Sequence, residues 1–202
     1  MKNQKIKLVI FDCYGAVLSK GYPDTVAVLS KRFNISEKKI FEVMYTKYFN
    51  MAARRKISQK EAWEKAIEEL GLPITRKELL EIHFGLLKIN KSVFEIAKQL
   101  RKKYATLLLS KNTRSQFAET KKRFPIVWKN FDSVINTWEL GLPKASGETI
   151  REICRRFKVK PAEIVFIDDQ KDNLVEPKKM GVKIIFYKNF SQFKKELLNY
   201  IN

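Results

Sequence analysis

Two rhythms of apolar and polar residues divide this chain. Between residues 23 and 88 apolar positions return every three or four residues, as in AWEKAIEEL, the spacing of helices that bury one face. Pro23 opens a helix over 23–33, and Ser36 stands as N-cap to a helix over 37–50. Ser58 begins SQKEAWEKAIEELG with Glu61 three positions on, and Thr75 begins TRKELLEIHFGLLK with Glu78 in the same relation. Both are capping boxes, in which hydroxyl and carboxylate each accept a backbone N–H that the first turn leaves unpaired. Gly71 closes the first of the two.

On either side of this stretch short, unbroken apolar runs take over. LVIF ends on Asp12, in a strand read over 5–12; ATLLLS, SVIN, EIVFIDD and VKIIFY follow at 105–110, 133–136, 163–169 and 182–187. Helical patterns at 91–103, 114–123, 146–158, 172–180 and the C-terminus separate them. Strands apolar on both faces, alternating with helices, predict an α/β fold: a Rossmann-like three-layer parallel sheet. Right-handed crossovers then collect the C-terminal ends of the strands along one edge, where open α/β sheets bind ligands. The expected division is a core of residues 1–18 and 90–202 and an inserted helical cap of residues 19–89. The cap leaves just after Asp12, hinges near 18–20 and 88–91, and overhangs that edge as a lid.

Charge changes this picture little. The formal net charge is +19, from 41 Lys and Arg against 22 Asp and Glu. The basic residues are scattered, in KRF at 31–33, RKK at 101–103, KKR at 121–123 and RRFKVK at 155–160, with acidic residues among them. This reads as solvated surface rather than a dedicated nucleic-acid site, though a general positive field favours an anionic substrate. Cys13 and Cys154 make no disulfide framework and read as buried free thiols; the solitary His83 supports no histidine-based metal site and is expected to pack or cap within a helix. No apolar run reaches the ~18 residues of a membrane span. Lys2, Lys5 and Lys7 precede too short an apolar stretch for a secretory signal, so a cytoplasmic protein is expected. The pattern carries no sign of oligomeric state.

The chemistry lies at the strand ends. Asp12, Ser110 and the pair Asp168–Asp169 end three strands, and Lys144 in GLPKASGETI precedes a helix. Three carboxylates brought together raise one another's pKa and stay ionised only beside a cation; all-oxygen ligands of this kind suit Mg²⁺. Ser110 and Lys144 would add a hydrogen bond and a positive charge for an anion bridging to that metal.

FDCYGAV with Asp12, LLLSKNT with Ser110, GLPKASGETI with Lys144 and VFIDDQKDNLVEPKKMGV with the aspartate pair resemble, in order, the four motifs of the haloacid dehalogenase-like hydrolase superfamily. FPIVWKNFDSVINTWELGLPK is similar to a branch containing hexose-1-phosphate phosphatases and the N-terminal phosphatase domain of soluble epoxide hydrolases. The resemblance implies a helical cap of the C1 type. It makes Asp12 the nucleophile that forms an aspartyl-phosphate, with Mg²⁺ on Asp12, the Tyr14 carbonyl and Asp169, and Asp168 alongside or sharing. Ser110, Lys111, Asn112 and Lys144 would hold the phosphate of a small phosphorylated substrate. Asn173 would orient Asp169 or its loop.

One departure bears on mechanism. The general acid–base aspartate usual two residues after the nucleophile is Tyr14 here. Three readings stay open: a phosphatase acting on good leaving groups, or with Tyr14 or Lys111 as substitute proton donor; a catalytically silent protein that binds Mg²⁺ and phosphate; and a 2-haloacid dehalogenase. Members of the last class share the tyrosine but work without metal and lack the aspartate pair. The lid segment YTKYFNMAARRK at 45–56 is the expected recognition element, against the plainer reading that Arg54 and Arg55 are a solvated helix end.

Overall fold

A computed structural model describes residues 5–201, so Lys2 lies outside the described residues. Five parallel strands form one sheet: β1 (Leu8–Asp12), β2 (Ala105–Ser110), β3 (Ser133–Asn136), β4 (Ile164–Asp168) and β5 (Lys183–Phe186), in the order β3-β2-β1-β4-β5. The strand expected from residue 5 begins at Leu8. Its neighbours begin at Ala105 and Ile164, directly opposite Leu8, and pairing starts one residue earlier only through Lys7, whose N–H donates to the Glu163 carbonyl and whose carbonyl accepts Ala105 N–H, each at 2.9 Å. Because β1 is central, Leu8, Val9, Ile10 and Phe11 are all fully buried, which is why this run carries no polar alternation.

Between β1 and β2 the chain is helical. Helix α1 (Tyr22–Phe33) is followed by α2 (Glu37–Phe41), which passes without a break through a π-helical stretch (Glu42–Phe49) into α3 (Asn50–Ala53). The sequence predicts one regular helix over 37–50; the wider turn instead stacks Tyr45 on Phe49, with ring centres 5.1 Å apart. Helices α4 (Gln59–Leu70) and α5 (Arg76–Gly85) both carry the expected capping boxes, and Gly71 ends α4 in a left-handed conformation at φ 60°. These helices enclose their own apolar cluster, centred on Tyr22, Leu29, Ile40, Met44, Trp63 and Leu79. The two connecting segments lie antiparallel: Ser19 N–H donates to the Lys88 carbonyl at 2.9 Å and Asn90 N–H to that of Val17 at 2.9 Å.

The remaining helices are α6 (Lys91–Leu100), α7 (Arg114–Arg123), α8 (Pro125–Lys129), α9 (Thr137–Leu140), α10 (Gly147–Phe157), α11 (Asp172–Lys179) and α12 (Phe190–Ile201). The short α8 and α9 are absent from the sequence-based reading, being too brief to show a period. Val9 and Phe11 bury one sheet face against Val93 and Ala97 of α6 and Phe193 and Leu197 of α12. Leu8, Ile10, Leu107 and Phe166 bury the other against Ile150, Ile153 and Leu174 from α10 and α11. This is the expected three-layer sandwich. Cys13 is a buried free thiol as expected; Cys154 of α10 packs against the sheet cluster but, contrary to expectation, is only partly buried. No described helix is long and apolar enough to cross a membrane.

Candidate active site

Parallel pairing brings Asp12, Ser110 and Asp168 to one edge, since Asp12 sits beside Leu109 and Phe11 beside Ile167. Lys144 reaches the same place from the turn before α10. That turn is closed by Ser146 N–H donating to the Pro143 carbonyl at 3.0 Å and by the Thr149 hydroxyl donating to the same oxygen at 2.8 Å. The Lys144 ammonium, 3% exposed, bonds Asp12 Oδ1 and lies 2.7 Å from Asp168 Oδ2. Burial works against its charge, but the two carboxylates hold its pKa above the ordinary lysine value.

The two aspartates at the end of β4 are treated differently. Asp168, fully buried, accepts Gln170 N–H at 2.8 Å, the Asn173 amide at 3.0 and 3.1 Å, and Lys144. A carboxylate has about four acceptor directions, and these four contacts use them. Asn173 therefore orients Asp168 rather than Asp169, because α11 begins at Asp172 and turns the Asn173 side chain back onto the end of β4. Asp169 is only partly buried, yet its Oδ1 is enclosed and has no hydrogen-bond partner. A Cβ at Gly15 would overlap the Asp169 carboxylate, and Gly15 has φ +96°, so this position requires glycine on both counts.

Carboxylate oxygens of Asp12, Asp168 and Asp169 all lie within 4.8 Å of one another. Burial first, and then the neighbouring aspartates, push the pKa of Asp12 well above its usual value despite Lys144. Asp169 is raised in the same way by burial and Asp168. A crowded acidic set with one enclosed, unpaired oxygen is the donor set of a hard divalent cation, and these residues fit Mg²⁺. Ser110 Oγ, buried at the same edge, also lacks a partner.

Asp12, Asp169, Ser110 and Lys144 line a cavity of about 340 Å³, together with Asn112, Lys111, Asn173 and, from the helices above, Tyr22, Tyr45 and Phe49. Asn112 is buried, with its N–H held by Asn136 Oδ1 at 3.1 Å. Lys111 is half-buried, 5.8 and 5.9 Å from the ring centres of Tyr45 and Phe49; burial, then the charges of Lys144 and Arg54, keep its pKa below the ordinary lysine value. The Tyr14 hydroxyl bonds Thr120 Oγ1 on α7, and burial holds its pKa above the usual phenol value. Tyr14 is thus committed to α7, unlike a free proton donor.

Sequence reasoning missed the residues that join helices to sheet. His83 packs in α5 as expected, fully buried, but also bridges Thr25 Oγ1 at 2.8 Å and the Gln116 amide of α7 at 3.0 Å, and burial depresses its pKa to about 3. Thr113 donates to Gln59 Oε1 at 2.8 Å. Trp138 receives Arg55 over its ring at 4.4 Å and donates through Nε1 to the Ala52 carbonyl at 3.3 Å. Arg55, exposed just past the end of α3, is thereby also a contact with α9. The clue in the sequence was a polar or aromatic residue breaking an apolar face, a signal without a partner attached.

Among solved structures, the fold is similar to that of a HAD family enzyme of Bacteroides thetaiotaomicron in complex with magnesium and inorganic phosphate, at 20% identity and TM-score 0.71 over 91% of this chain and 94% of that one. A predicted HAD-like family hydrolase from Porphyromonas gingivalis matches at 21% and 0.71, over 96% and 98% of the two chains. The L-2-haloacid dehalogenase of Xanthobacter autotrophicus, with chloropropionic acid covalently bound, matches at 16% and 0.66, over 96% and 83%. At these identities the likeness is one of fold. The family model for haloacid dehalogenase-like hydrolases matches residues 6–181, most of the chain. With the four motifs gathered at one sheet edge, the chain belongs to the haloacid dehalogenase-like hydrolases.

Proposed function

We propose that this chain is a Mg²⁺-dependent phosphatase of a small phosphorylated metabolite, with residues 1–18 and 90–202 as its hydrolase core and 19–89 as the cap over the cavity. The observation that carries the reading is the triad of Asp12, Asp168 and Asp169 within 4.8 Å, with an unpaired Asp169 oxygen on one side and unpaired Ser110 Oγ nearby. Asp12, Asp169 and the Tyr14 carbonyl would hold Mg²⁺, with Asp168 completing the acidic set while it anchors Lys144. When bound, the ion offsets the negative charge that phosphoryl and carboxylate oxygens bring together.

The residues then have separable tasks. An Asp12 oxygen attacks phosphorus in line; the bond from phosphorus to the leaving oxygen breaks and that oxygen departs with the electron pair. Ser110 and Lys144 donate to the oxygens that are not transferred and stabilise the charge they gain. Water then cleaves the aspartyl-phosphate, releasing inorganic phosphate and restoring the Asp12 carboxylate. Without an aspartate in place of Tyr14, the leaving oxygen departs largely unassisted, a loss of roughly 10²–10⁴-fold for poor leaving groups.

The test is hydrolysis of acetyl phosphate, p-nitrophenyl phosphate and an alkyl phosphate, with Mg²⁺ and with a chelator. Turnover is expected to require the metal and to favour the acyl and aryl phosphates over the alkyl one. A silent Mg²⁺- and phosphate-binding protein is the second reading, favoured by the engagement of Tyr14 with Thr120; binding without turnover on all three phosphates would establish it. Dehalogenation is disfavoured because Asp169 beside Asp12, without metal, would repel a substrate carboxylate. Metal-independent chloride release from a 2-haloacid would restore it.

A further inference from the structure

The space beside Asp12 continues into a second cavity of about 510 Å³, and Lys111, Lys144 and Asn173 line both. The two ends differ in charge. Asp12 and Asp169 line the first, whereas no acidic residue, among the described residues, lines the second. Its cations are Arg54, Arg55 and Lys111, besides the shared Lys144.

Of these, Arg55 is occupied by the Trp138 ring and carbonyl. Arg54 and Lys111 make no side-chain hydrogen bond or ion pair with the described residues. They reach the same cavity from different elements, Arg54 from the C-terminal end of α3 and Lys111 from just past β2. Two cations without a carboxylate partner on the wall of one cavity make it a place for an anion to bind. A third feature points the same way: Thr137 Oγ1, on the same wall and 1% exposed as a residue, is buried without a partner. Ala53, Leu142 and Pro143 supply apolar wall between these polar groups, suited to a short carbon chain.

We infer that the second cavity is a subsite for a second acidic group, carboxylate or phosphate, on the leaving-group side of the substrate, held by Arg54 and Lys111 with the Thr137 hydroxyl as a further donor. The inference rests on the phosphatase reading and narrows its substrate class: a phosphate ester or anhydride that carries a second anion a few bonds from the first. A lone sugar phosphate would leave both cations unmet.

The experiment measures binding, so that it stands apart from turnover. Calorimetric titration with Mg²⁺ present compares three non-hydrolysable probes: propylphosphonate, 3-phosphonopropionate and propane-1,3-bisphosphonate. The acidic tails are expected to bind about 10-fold tighter than the neutral one, as charge-assisted bidentate contacts imply. The larger gap of the two identifies the second group as carboxylate or phosphate. Arg54 is exposed at a helix end, so Arg54→Gln leaves the fold intact, and it should close the gap to about 2-fold, with Arg54→Lys restoring part of it. Equal binding of all three probes by the native chain, or a gap that survives Arg54→Gln, overturns the subsite while leaving the phosphate site standing. Failure of every probe to bind overturns the phosphatase reading and the subsite with it.

Discussion

Lys144 and Lys111 stand on the walls of the same two cavities, yet their ammonium groups meet opposite surroundings. Lys144 is clamped between Asp12 and Asp168, while Lys111 lies over the faces of Tyr45 and Phe49 and makes no ion pair with the described residues. One belongs to machinery that the sheet holds fixed: the Asp168 end of β4 is saturated with hydrogen bonds before any ligand arrives. The other belongs to a region completed from the helical insert, where cations face open space. The contrast separates a fixed site for phosphoryl chemistry from an adaptable one for the rest of the substrate.

The largest effect should come from the fixed side. Asp12→Asn removes the attacking oxygen's charge, and turnover of p-nitrophenyl phosphate is expected to fall by about 10³-fold or more, as for other nucleophile deletions. Lys144→Met tests the clamp itself. It leaves two buried carboxylates without their counter-charge, so urea denaturation in the absence of metal should show a loss of about 3–5 kcal/mol. A smaller loss would mean that the aspartates are better solvated than their burial implies. Asn173→Ala frees Asp168 without touching a substrate-facing charge; a reduction of about 10–100-fold in kcat/KM is expected, the usual cost of removing a positioning hydrogen bond behind a metal site.

A smaller effect belongs to the joint between helices and sheet. His83 is buried neutral with its pKa pressed down to about 3. The unfolded chain, with a histidine near ~6.5, binds the proton more readily as pH falls. The contribution of His83 is therefore complete above that value and is lost as pH drops towards 3, at up to about 1.4 kcal/mol per pH unit. His83→Gln should flatten stability against pH between about 6 and 4, by about one proton in the slope of denaturation curves. An unchanged slope would mean that another group governs acid unfolding.

The same contrast explains what the sequence made legible. β2 begins and ends where ATLLLS predicts, because a strand flanked on both sides is a nearly unbroken apolar run, and the edge strand β3 matches the short SVIN. Both capping boxes form because they involve residues three positions apart. Asp12, Ser110 and the aspartate pair converge because parallel topology carries strand ends to one edge, and Lys144 joins them from the turn before α10. What stayed hidden depends on distant partners: the π-helical turn that stacks Tyr45 on Phe49, the choice of Asp168 rather than Asp169 by Asn173, and the pairing of Arg55 with Trp138. Thr137 in α9 reads as an ordinary polar residue until the fold encloses its hydroxyl.

All of this turns on whether the acidic edge captures a divalent ion. Titrating Mg²⁺ into the native chain and into Asp169→Asn by calorimetry asks that directly, since Asp169 supplies the enclosed, unpaired oxygen and leaves Asp12 intact. Saturable binding by the native chain that is lost or weakened about 10-fold or more in Asp169→Asn is the expected result. Heat of binding that is absent from the native chain, or identical in the two proteins, would contradict it.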